Sequence, residues 1–434
     1  MAKPRDRQRI QIGLLGLGVV GSGVAKALAA KAALYERQLG AGLHLRRVLV
    51  KNPSRERSVL LEEGAITSNA ADVLGDDAIG IVIEVMGGET PAYEYIRQAL
   101  SAGKHVVTAN KEVMAKHGPE LLELADANGV ELLFEASVGG GIPIISPLKR
   151  DLSANQITNL RAIINGTTNY ILTRMDKEGI DFDEALRQAQ ALGYAESDPT
   201  NDIEAHDAVY KLAILASLAF HTTVRPRDIY REGITRINAR DFRYARELGF
   251  AIKLLAVARR DGEAVQAHVH PALVAQDELL AKVDGVLNAV EVEGDLLGRV
   301  LFQGPGAGAN PTTSAVLADV LDAARAIVTG RPPHGPAFSE ALRLKPMSEV
   351  VARYYIRMVV ADSPGVLSVI ARCFGDNAVS IASVIQKETD EAAQSAEIVI
   401  MTHPAREAAM QSTITALEDL DVVVEIGNFL RVEG

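Results

Sequence analysis

Apolar strand patterns alternate with helical patterns through the N-terminal third of the chain. The first predicted strand begins at Ile10. Four more predicted strands follow, at Leu45–Val50, Ile79–Val85, His105–Thr108 and Val130–Phe134. The predicted helices that separate the later strands are Pro91–Ala102 and Pro119–Asn128. This alternation predicts a parallel sheet with helices on both faces, so we expect an α/β, Rossmann-type doubly wound fold. Ligands of such sheets bind at the carboxyl ends of the strands.

The pattern changes after Pro147, where strands and helices no longer alternate regularly. The predicted elements are a strand at Leu160–Ile164, helices at Tyr170–Glu178, Asp183–Leu192 and Ile203–Phe220, and a hairpin within Ala251–His270. Asp261-Gly262 is the turn signal of this hairpin. A glycine-rich loop at 304–313 then opens a helix through Ala326. We expect an α+β substrate and dimerisation domain.

The C-terminal part reads as a separate module. Residues 331–350 contain four prolines among polar residues, which we interpret as a linker. The elements predicted beyond it follow the order βαββαβ: Tyr355–Ala361, Val366–Asn377, Ser380–Lys387, Glu397–His403, Arg406–Leu417 and Val422–Ile426. The predicted divisions are a dinucleotide-binding domain at 1–147, a substrate-binding and catalytic domain at 148–330, the linker, and a module at 351–434.

Composition narrows the class of protein. The chain has 434 residues, too many for one compact core, a net charge of −11 and one cysteine. Its apolar runs are far shorter than the ~20 residues that cross a bilayer, and no signal pattern precedes the first strand, so we expect a cytoplasmic protein with no membrane partner. The acidic balance and the absence of tryptophan argue against nucleic acid as a partner. With one cysteine, Cys373, and no Cys/His cluster in the sequence, we expect neither a disulfide framework nor a zinc site.

The sequence GLGVVG lies between the first predicted strand and an alanine-rich helical pattern. Gly16 suits a tight turn, Gly18 lets a pyrophosphate approach the backbone, and Gly21 lets helix and strand pack closely. The glycine pattern alone is a weak signal. Its position between a strand and a helix favours a dinucleotide site over a structural glycine turn.

Basic residues follow the second predicted strand. An NAD-specific site normally has an acid there, which binds the ribose 2′-hydroxyl. Here Lys51, Arg55 and Arg57 occupy this stretch. Their charges favour a 2′-phosphate, so we predict a preference for NADP(H), with NAD(H) also possible. The alternative is a solvated basic loop.

The stretch GYAESDPTNDIEAHDAVYK, residues 193–211, places five carboxylates and one lysine directly before an apolar run. If one helix begins between Asp198 and Asp202, Asp207 and Lys211 lie four residues apart on one face. A lysine in an apolar setting beside a carboxylate can have its pKa tuned for proton transfer. Taken alone, such a pair is more often an ordinary helical ion pair.

Six segments together resemble the homoserine dehydrogenase family. They are GLGVVGSG, TANKE at Thr108–Glu112, FEASVGGGIP at Phe134–Pro143, INGTTNYIL at Ile164–Leu172, the 193–211 stretch, and GPGAGANPTT at 304–313. The matching order covers about the first 330 residues. One departure is Ala205, where the family pattern usually has glycine. We expect its methyl group to tighten helix packing and to leave activity intact.

The resemblance implies the reversible reduction of L-aspartate 4-semialdehyde to L-homoserine, in threonine, methionine and isoleucine biosynthesis. It implies that Lys211 is the proton donor and that Asp207 orients it. The substrate ammonium is then bound by Glu196 and Asp202, or by Asp207, and Lys111 binds the substrate carboxylate or carbonyl oxygen. The residues that this resemblance places beside the cofactor are Val19, Val20, Thr108, Lys111, Gly193 and Gly308. For the loop around Gly308, a plain helix entry is the alternative.

The family also uses a monovalent cation, usually sodium. The resemblance implies that Glu135 and the backbone oxygens of Val138, Gly140 and Ile142 bind it. Carbonyl oxygens with one carboxylate suit a hard cation. The sequence alone would indicate only a glycine turn.

The segments DSPGVL and DNAVSIASV, within the βαββαβ region, look like the ACT amino-acid-sensing module. This resemblance implies feedback control with threonine as effector, and it places Asp362, Gly365 and Asn377 where such modules bind an amino acid at a subunit interface. The alternative is a module that only dimerises. We expect a homodimer or a homotetramer.

Two other functions compete with this interpretation. A phosphorylating aldehyde dehydrogenase requires a thiolate nucleophile, but Cys373 lies in the C-terminal module, far along the chain from the proposed site. The alternative from another class is a non-catalytic sensor of nucleotides and amino acids. The joint presence of Glu196, Asp202, Asp207 and Lys211 argues against it.

Overall fold

The structure is a computed structural model that describes residues 9–330, 338, 340–390 and 394–433, with only the backbone at 387–390. These residues form two compact units. Unit 1 comprises the chain up to Gln156, Tyr210–Pro226 and Phe302–Ala341. Unit 2 comprises Ile157–Val209, Arg227–Leu301 and the chain from Leu342 onward. Within the described ranges, no helix is long and apolar enough to span a membrane.

The elements up to Gln156 build most of unit 1. The strands are β1 (Arg9–Leu15), β2 (Gly42–Leu49), β3 (Ile66–Thr67), β4 (Ile79–Glu84), β5 (His105–Thr108) and β6 (Leu132–Leu133). The helices are α1 (Val19–Ala30), α2 (Ala32–Leu39), α3 (Ala71–Leu74), α4 (Ala92–Ser101) and α5 (Lys111–Ala127).

The strands of unit 1 form a parallel sheet in the order β3-β2-β1-β4-β5-β6. Because β1 pairs with both β2 and β4, the strand order reverses at β1, as in dinucleotide-binding folds. The consecutive residues Leu14 and Leu15 of β1, and Ile81 and Val82 of β4, are fully buried, as expected for strands covered on both faces. The predicted doubly wound sheet is confirmed.

The helix predicted at Pro119–Asn128 was too short. Helix α5 begins at Lys111, eight residues earlier, and contains Pro119 in its interior. The side chain of Asn110 caps this start by accepting a hydrogen bond from the Val113 backbone N–H at 3.1 Å. A proline inside a helix removes one backbone hydrogen bond, and here the helix continues past it. Lys111 is therefore the first residue of a helix and not a loop residue.

The elements between Ile157 and Thr329 contribute to both units. The strands are β7 (Ile157–Ile163), β8 (Tyr230–Arg231), β9 (Phe250–Asp261), β10 (Ala264–Ala275), β11 (Leu287–Gly294) and β12 (Gly298–Pro305). The helices are α6 (Gly166–Glu178), α7 (Phe182–Ala191), α8 (Thr200–Ile203), α9 (His206–Ala219), α10 (Ala239–Glu247) and α11 (Ala309–Thr329).

Helix α11 belongs to unit 1, although the predicted boundary at 147 assigned it to the second domain. Val316 and Val320 of α11 lie in the same apolar core as Ile12 of β1. A Cβ atom added to Gly23 of α1 would lie 2.3 Å from the Thr313 Oγ1 atom, so α1 and α11 pack closely. The compact units therefore divide the chain differently from the predicted domains, because a late helix returns to the first sheet.

The remaining elements complete unit 2. The strands are β13 (Arg343–Leu344), β14 (Val351–Ala361), β15 (Ile381–Asp390), β16 (Ser395–Thr402), β17 (Ala405–Arg406) and β18 (Val423–Glu433). The helices are α12 (Val366–Asp376) and α13 (Glu407–Glu418). The predicted βαββαβ order of the C-terminal module is confirmed.

Part of the predicted linker is regular structure. Within 331–350, residues 331–337 and 339, which include three of the four prolines, lie outside the described residues. Strand β13 pairs in parallel with the start of β10, at Ala264 and Val265. The second half of the predicted linker is therefore bound to the sheet of unit 2.

Unit 2 is organised around a long hairpin and the C-terminal module. Strands β9 and β10 pair along their whole length, and Gly262, with φ of 61°, supplies the predicted turn. The strand order includes β11-β7-β9-β10-β18-β14-β16-β15. The last strand, β18, pairs antiparallel with β14 of the module and parallel with β10. The module and the hairpin therefore share one sheet.

Candidate active site

The glycine fingerprint has the geometry that a dinucleotide requires. Gly16 has φ of 101°, in the region that favours glycine. A Cβ atom on Gly21 would lie 2.1 Å from the Gly16 carbonyl oxygen, whereas a Cβ atom on Gly18 would meet nothing within 4 Å. Gly18 is the N-cap of α1, which begins at the exposed Val19, followed by Val20. The start of this helix therefore fits a pyrophosphate group.

The basic loop after β2 is exposed. Lys51 and Arg55 are exposed in it, so both cations are accessible to a ligand. Arg57, by contrast, donates hydrogen bonds to the loop's own carbonyl oxygens at Asn52 and Pro53. The loop is therefore held together internally while Lys51 and Arg55 face solvent.

Glu84, at the carboxyl end of β4, is a residue that sequence reasoning missed. It is 0 % exposed. Its carboxylate accepts hydrogen bonds from the Met86 backbone N–H at 2.7 Å and from the Thr108 hydroxyl at 2.6 Å. Burial raises the pKa of Glu84, and the donors around it oppose this shift. Glu84 joins the ends of β4 and β5, where a nucleotide ligand of this fold binds.

A second bond connects the same two loops. Asn110, whose side-chain oxygen caps α5, donates from its Nδ2 atom to the Gly88 carbonyl oxygen at 2.7 Å. The Asn110 backbone N–H donates to the Thr108 hydroxyl at 3.0 Å. These bonds fix the start of α5, and with it the backbone position of Lys111.

Helices α5 and α9 lie beside each other in unit 1. The ammonium group of Lys116, on α5, lies 5.7 Å from the ring centroid of Tyr210, on α9. Further along, a cavity of about 20 Å³ is lined by Met114 of α5 and Ile214 of α9. The structure therefore brings together the two helices that carry Lys111 and Lys211.

The glycine-rich loop before α11 contacts the loop after β6. Gly308 has φ of 118° and is the N-cap of α11. A Cβ atom on Gly140 would lie 2.5 Å from the Gly306 carbonyl oxygen. The Gly141 N–H donates to the Pro305 carbonyl oxygen at 2.9 Å. The loop of Gly308 and the candidate cation loop are thus neighbours.

Glu135 has its carboxylate buried against backbone amides. It accepts hydrogen bonds from the N–H groups of Ile144, Ile145 and Ser146, at 2.6, 2.8 and 2.7 Å. Burial, and next the charge of Glu135, raise the pKa of Asp319 well above its usual value. The Ile142 N–H donates to the Gly139 carbonyl oxygen at 2.9 Å, so Val138, Gly140 and Ile142 lie on one tight turn.

Two of the predicted acids converge on one amide in unit 2. Asn165 donates from its Nδ2 atom to Asp202 at 2.7 Å and to Asp207 at 2.9 Å. Its side-chain oxygen caps α6 by accepting the Thr168 N–H at 2.9 Å. Sequence reasoning assigned no role to Asn165, although it lies in the INGTTNYIL segment.

The predicted single helix at Ile203–Phe220 is in fact two helices. Helix α8 ends at Ile203 and α9 begins at His206. Ala205, between them, is fully buried and has φ of 63°, in the left-handed region. The predicted helix therefore breaks at Ala205, because left-handed backbone cannot continue a right-handed helix, and the role of the methyl group in packing stays a prediction.

Asp207 and Lys211 both belong to α9, four positions apart. They are 5 % and 9 % exposed, respectively. Since residues four apart share a face of a helix, the predicted arrangement of the pair is retained despite the later helix start. The residues of an ordinary surface ion pair are exposed, so the burial of both Asp207 and Lys211 distinguishes them from such a pair.

The other predicted residues of the 193–211 stretch are exposed. Gly193, with φ of 75°, ends the turn after α7. Glu196 is exposed, and its carbonyl oxygen accepts a hydrogen bond from Gln190 at 3.1 Å. The neighbouring Tyr194 carbonyl oxygen accepts the Thr167 hydroxyl at 2.7 Å. The backbone of this turn is thus fixed, and the Glu196 side chain reaches solvent.

The predicted effector residues lie at the two ends of α12. Gly365, with φ of 95°, is the N-cap, and Asp362 precedes it. Asn377 is the C-cap and donates to the Cys373 carbonyl oxygen at 2.9 Å. At 1.5 Å rise per residue, an eleven-residue helix separates the ends by ~16 Å. One small amino acid therefore cannot contact all three residues within a single chain.

Three family profiles match the chain. They are the NAD-binding domain of homoserine dehydrogenase at residues 16–135, homoserine dehydrogenase at 143–321 and the ACT domain at 354–422. With the dinucleotide fold, they define an NAD(P)-dependent oxidoreductase that carries an ACT domain.

Known homoserine dehydrogenases are similar to this chain over nearly its full length. Homoserine dehydrogenases of Synechocystis and Mycobacterium tuberculosis are each 44 % identical, over 98 % and 99 % of this chain and 99 % of theirs. The solved Thiobacillus denitrificans homoserine dehydrogenase has a TM-score of 0.92, with 42 % identity over 98 % of this chain and 99 % of that chain. A hyperthermophilic archaeal homoserine dehydrogenase in complex with NADPH has a TM-score of 0.62, with 27 % identity over 75 % of this chain and 99 % of that chain. The chain belongs to the homoserine dehydrogenase family.

Proposed function

We propose that this enzyme catalyses the reversible, NADPH-dependent reduction of L-aspartate 4-semialdehyde to L-homoserine, in the cytoplasm and on the route to threonine, methionine and isoleucine. The observation that carries the proposal is the buried pair Asp207 and Lys211 on one face of α9. Helix α9 also lies beside α5, whose first residue is Lys111.

The residues of the chain perform the proton chemistry. When bound, the reduced nicotinamide supplies the hydride that reaches the aldehyde carbon. The Lys211 ammonium donates a proton to the carbonyl oxygen as negative charge develops there, and in the reverse direction the neutral amine removes the hydroxyl proton. Asp207, one helical turn before Lys211 on the same face of α9, orients its ammonium group.

The substrate's own charges require matching groups. Asp202 and Glu196 offer carboxylates to its ammonium group, and the Asn165 amide holds Asp202 and Asp207 in place. Lys111, fixed at the start of α5, binds the substrate carboxylate or the carbonyl oxygen. Val19, Val20, Thr108, Gly193 and Gly308 are the further residues proposed to border the cofactor.

Replacement of Lys211 tests the proton donor. Lys211→Met should lower kcat by ~10²- to 10⁴-fold while the dissociation constant for NADPH, measured by fluorescence, stays nearly unchanged. Lys177→Met is the matched control, because Lys177 is an exposed lysine paired with Asp284. A Lys211→Met enzyme within about threefold of the parent kcat would refute the assignment.

A preference for NADPH over NADH is supported by the exposed Lys51 and Arg55 and by the NADPH complex of the archaeal relative. NAD(H) is proposed as a poorer alternative. The Michaelis constants of both cofactors test this. A clear preference for NADH would overturn it.

We further propose that a monovalent cation, sodium, binds the loop of Glu135. The carbonyl oxygens of Val138, Gly140 and Ile142 are the other proposed ligands, since oxygen atoms suit a hard cation. Activity should then depend on sodium when potassium or choline replaces it at constant ionic strength. Equal rates in all three salts would contradict the proposal.

The ACT domain is proposed to bind threonine as a feedback inhibitor. Because Asp362 and Gly365 lie at the opposite end of α12 from Asn377, a shared site requires two copies of the module, and hence a homodimer or homotetramer. Added threonine should inhibit homoserine oxidation at millimolar concentration. No inhibition would favour a role in dimerisation alone.

A further inference from the structure

Three potential metal ligands meet within the sheet of unit 2. His268 and His270 lie two positions apart on β10, so they project from the same face of the strand. Glu433 lies on the neighbouring strand β18. One ligand atom from each of the three lies within 4.8 Å of the other two, and all three residues are buried. The two imidazole rings are stacked, with centroids 4.8 Å apart.

Both imidazoles have an unsatisfied nitrogen. In the part of the chain that the structure describes, the buried His268 Nδ1 and His270 Nε2 atoms have no hydrogen-bond partner. His270 Nδ1 lies 3.0 Å from the Pro271 carbonyl oxygen, and since a carbonyl only accepts, this nitrogen carries the proton. The His270 Nε2 atom therefore presents a lone pair, in the arrangement typical of a metal-bound histidine.

Glu433 is the acidic member of the cluster. Its carboxylate lies 3.6 Å from Arg259, and its Oε1 atom lies 3.9 Å from the His270 Nε2 atom. The carboxylate and this imidazole nitrogen are therefore already close enough to bind one cation after a small shift.

We propose that His268, His270 and Glu433 form a buried structural site for a divalent metal ion, with zinc the best match. Two imidazole nitrogens and one carboxylate oxygen are zinc ligands. Neighbouring ligand atoms in a tetrahedral zinc site are ~3.4 Å apart, so binding draws the three side chains closer together. The ion joins β10 to β18 and takes no part in hydride transfer.

Metal analysis of the full-length, untagged enzyme tests the site. Protein stripped with a chelator and dialysed against zinc should retain one equivalent per chain by elemental analysis. A chromophoric chelator in competition then gives the affinity. His270→Gln and Glu433→Gln should each weaken zinc binding by at least ~100-fold, since loss of an outer partner alone typically costs 10- to 100-fold.

Two controls exclude binding elsewhere. His403→Gln removes an exposed histidine, and Cys373→Ala removes the single thiol; both should retain zinc. Should a ligand variant fail to fold, cobalt(II) added to the stripped parent enzyme gives visible absorption bands whose intensity reports coordination by these ligands. Zinc that binds equally to the ligand variants, zinc lost in Cys373→Ala, or a parent enzyme that retains none would each overturn the proposal.

Discussion

Ala205 shows how a single backbone angle can divide one predicted helix into two. Its φ of 63° places a buried alanine in the left-handed region, which costs ~1–2 kcal/mol for a residue with a Cβ atom. The same angle makes the chain turn between α8 and α9, so that Asp207 lies in the first turn of a new helix and does not continue the old one. A glycine, usual in the family pattern at this position, would adopt this angle freely.

Two glycine substitutions separate backbone strain from burial. Ala205→Gly relieves strain but loses a buried methyl group worth ~0.8 kcal/mol and gains unfolded-state entropy, so the free energy of unfolding should change by less than ~1 kcal/mol. His221, also left-handed with φ of 51°, is exposed, and His221→Gly should stabilise the protein by up to ~1 kcal/mol. Urea unfolding measures both. Equal effects would show that burial at position 205 contributes nothing.

At the scale of helices and strands, the Asn165 side chain connects the start of α6 to Asp202 on α8 and to Asp207 on α9. Local periodicity predicted the helices but could not reveal this connection, because the bonded residues lie 37 and 42 positions apart. The same limit hid Glu84, whose partner Thr108 is 24 positions away. The glycine fingerprint and the Asp207–Lys211 spacing could be predicted, because each lies within a short stretch of consecutive residues.

Exchange of one amide for a carboxylate tests this connection. Asn165→Asp keeps a cap for α6 but replaces the donor by a third negative charge beside Asp202 and Asp207, so kcat/KM for homoserine should fall ~10- to 100-fold. Affinity for NADPH should not change. Asn238→Asp is the matched control, since Asn238 caps α10 with its side-chain oxygen alone. Loss of activity in both variants would indicate a general sensitivity to added charge.

At the scale of the whole molecule, a buried ion network connects the ACT domain to α10. Arg357, on β14, donates to Asp241 of α10 at 2.7 Å and to Glu397 of β16 at 3.1 Å. Burial raises the pKa of Glu397, but the hydrogen bond from Arg357 and nearby positive charges outweigh it, so the pKa lies below its ordinary value of 4.5.

This shift predicts acid sensitivity. The unfolded chain takes up the proton more readily than the folded one, so Glu397 stabilises the fold above about pH 4.5, and this stabilisation is lost as the pH falls through the lower folded-state pKa. The free energy of unfolding, measured in urea between pH 6 and pH 3, should therefore fall less steeply in Glu397→Gln than in the parent. Parallel pH profiles would refute the role of this carboxylate.

The sequence predicted the fold correctly in the regions where the order of strands and helices determines how the strands pair. The alternation of strands and helices in the N-terminal part and the βαββαβ order in the C-terminal part predicted the correct sheets. Both patterns consist of local elements that short connections join. The sequence could not assign α11 to unit 1, because the apolar face of this helix could have packed on either sheet. The apolar core that α11 shares with β1 and the close approach of Gly23 and Thr313 decide it.

The double pairing of β18 has a mechanical consequence. Because this strand hydrogen-bonds to β14 on one edge and to β10 on the other, the ACT domain and the long hairpin are held in one continuous sheet. Removal of Arg431, Val432 and Glu433 would break every pair between β18 and β10 while most pairs between β18 and β14 remain, so the pairing of these three residues joins the two parts of the sheet.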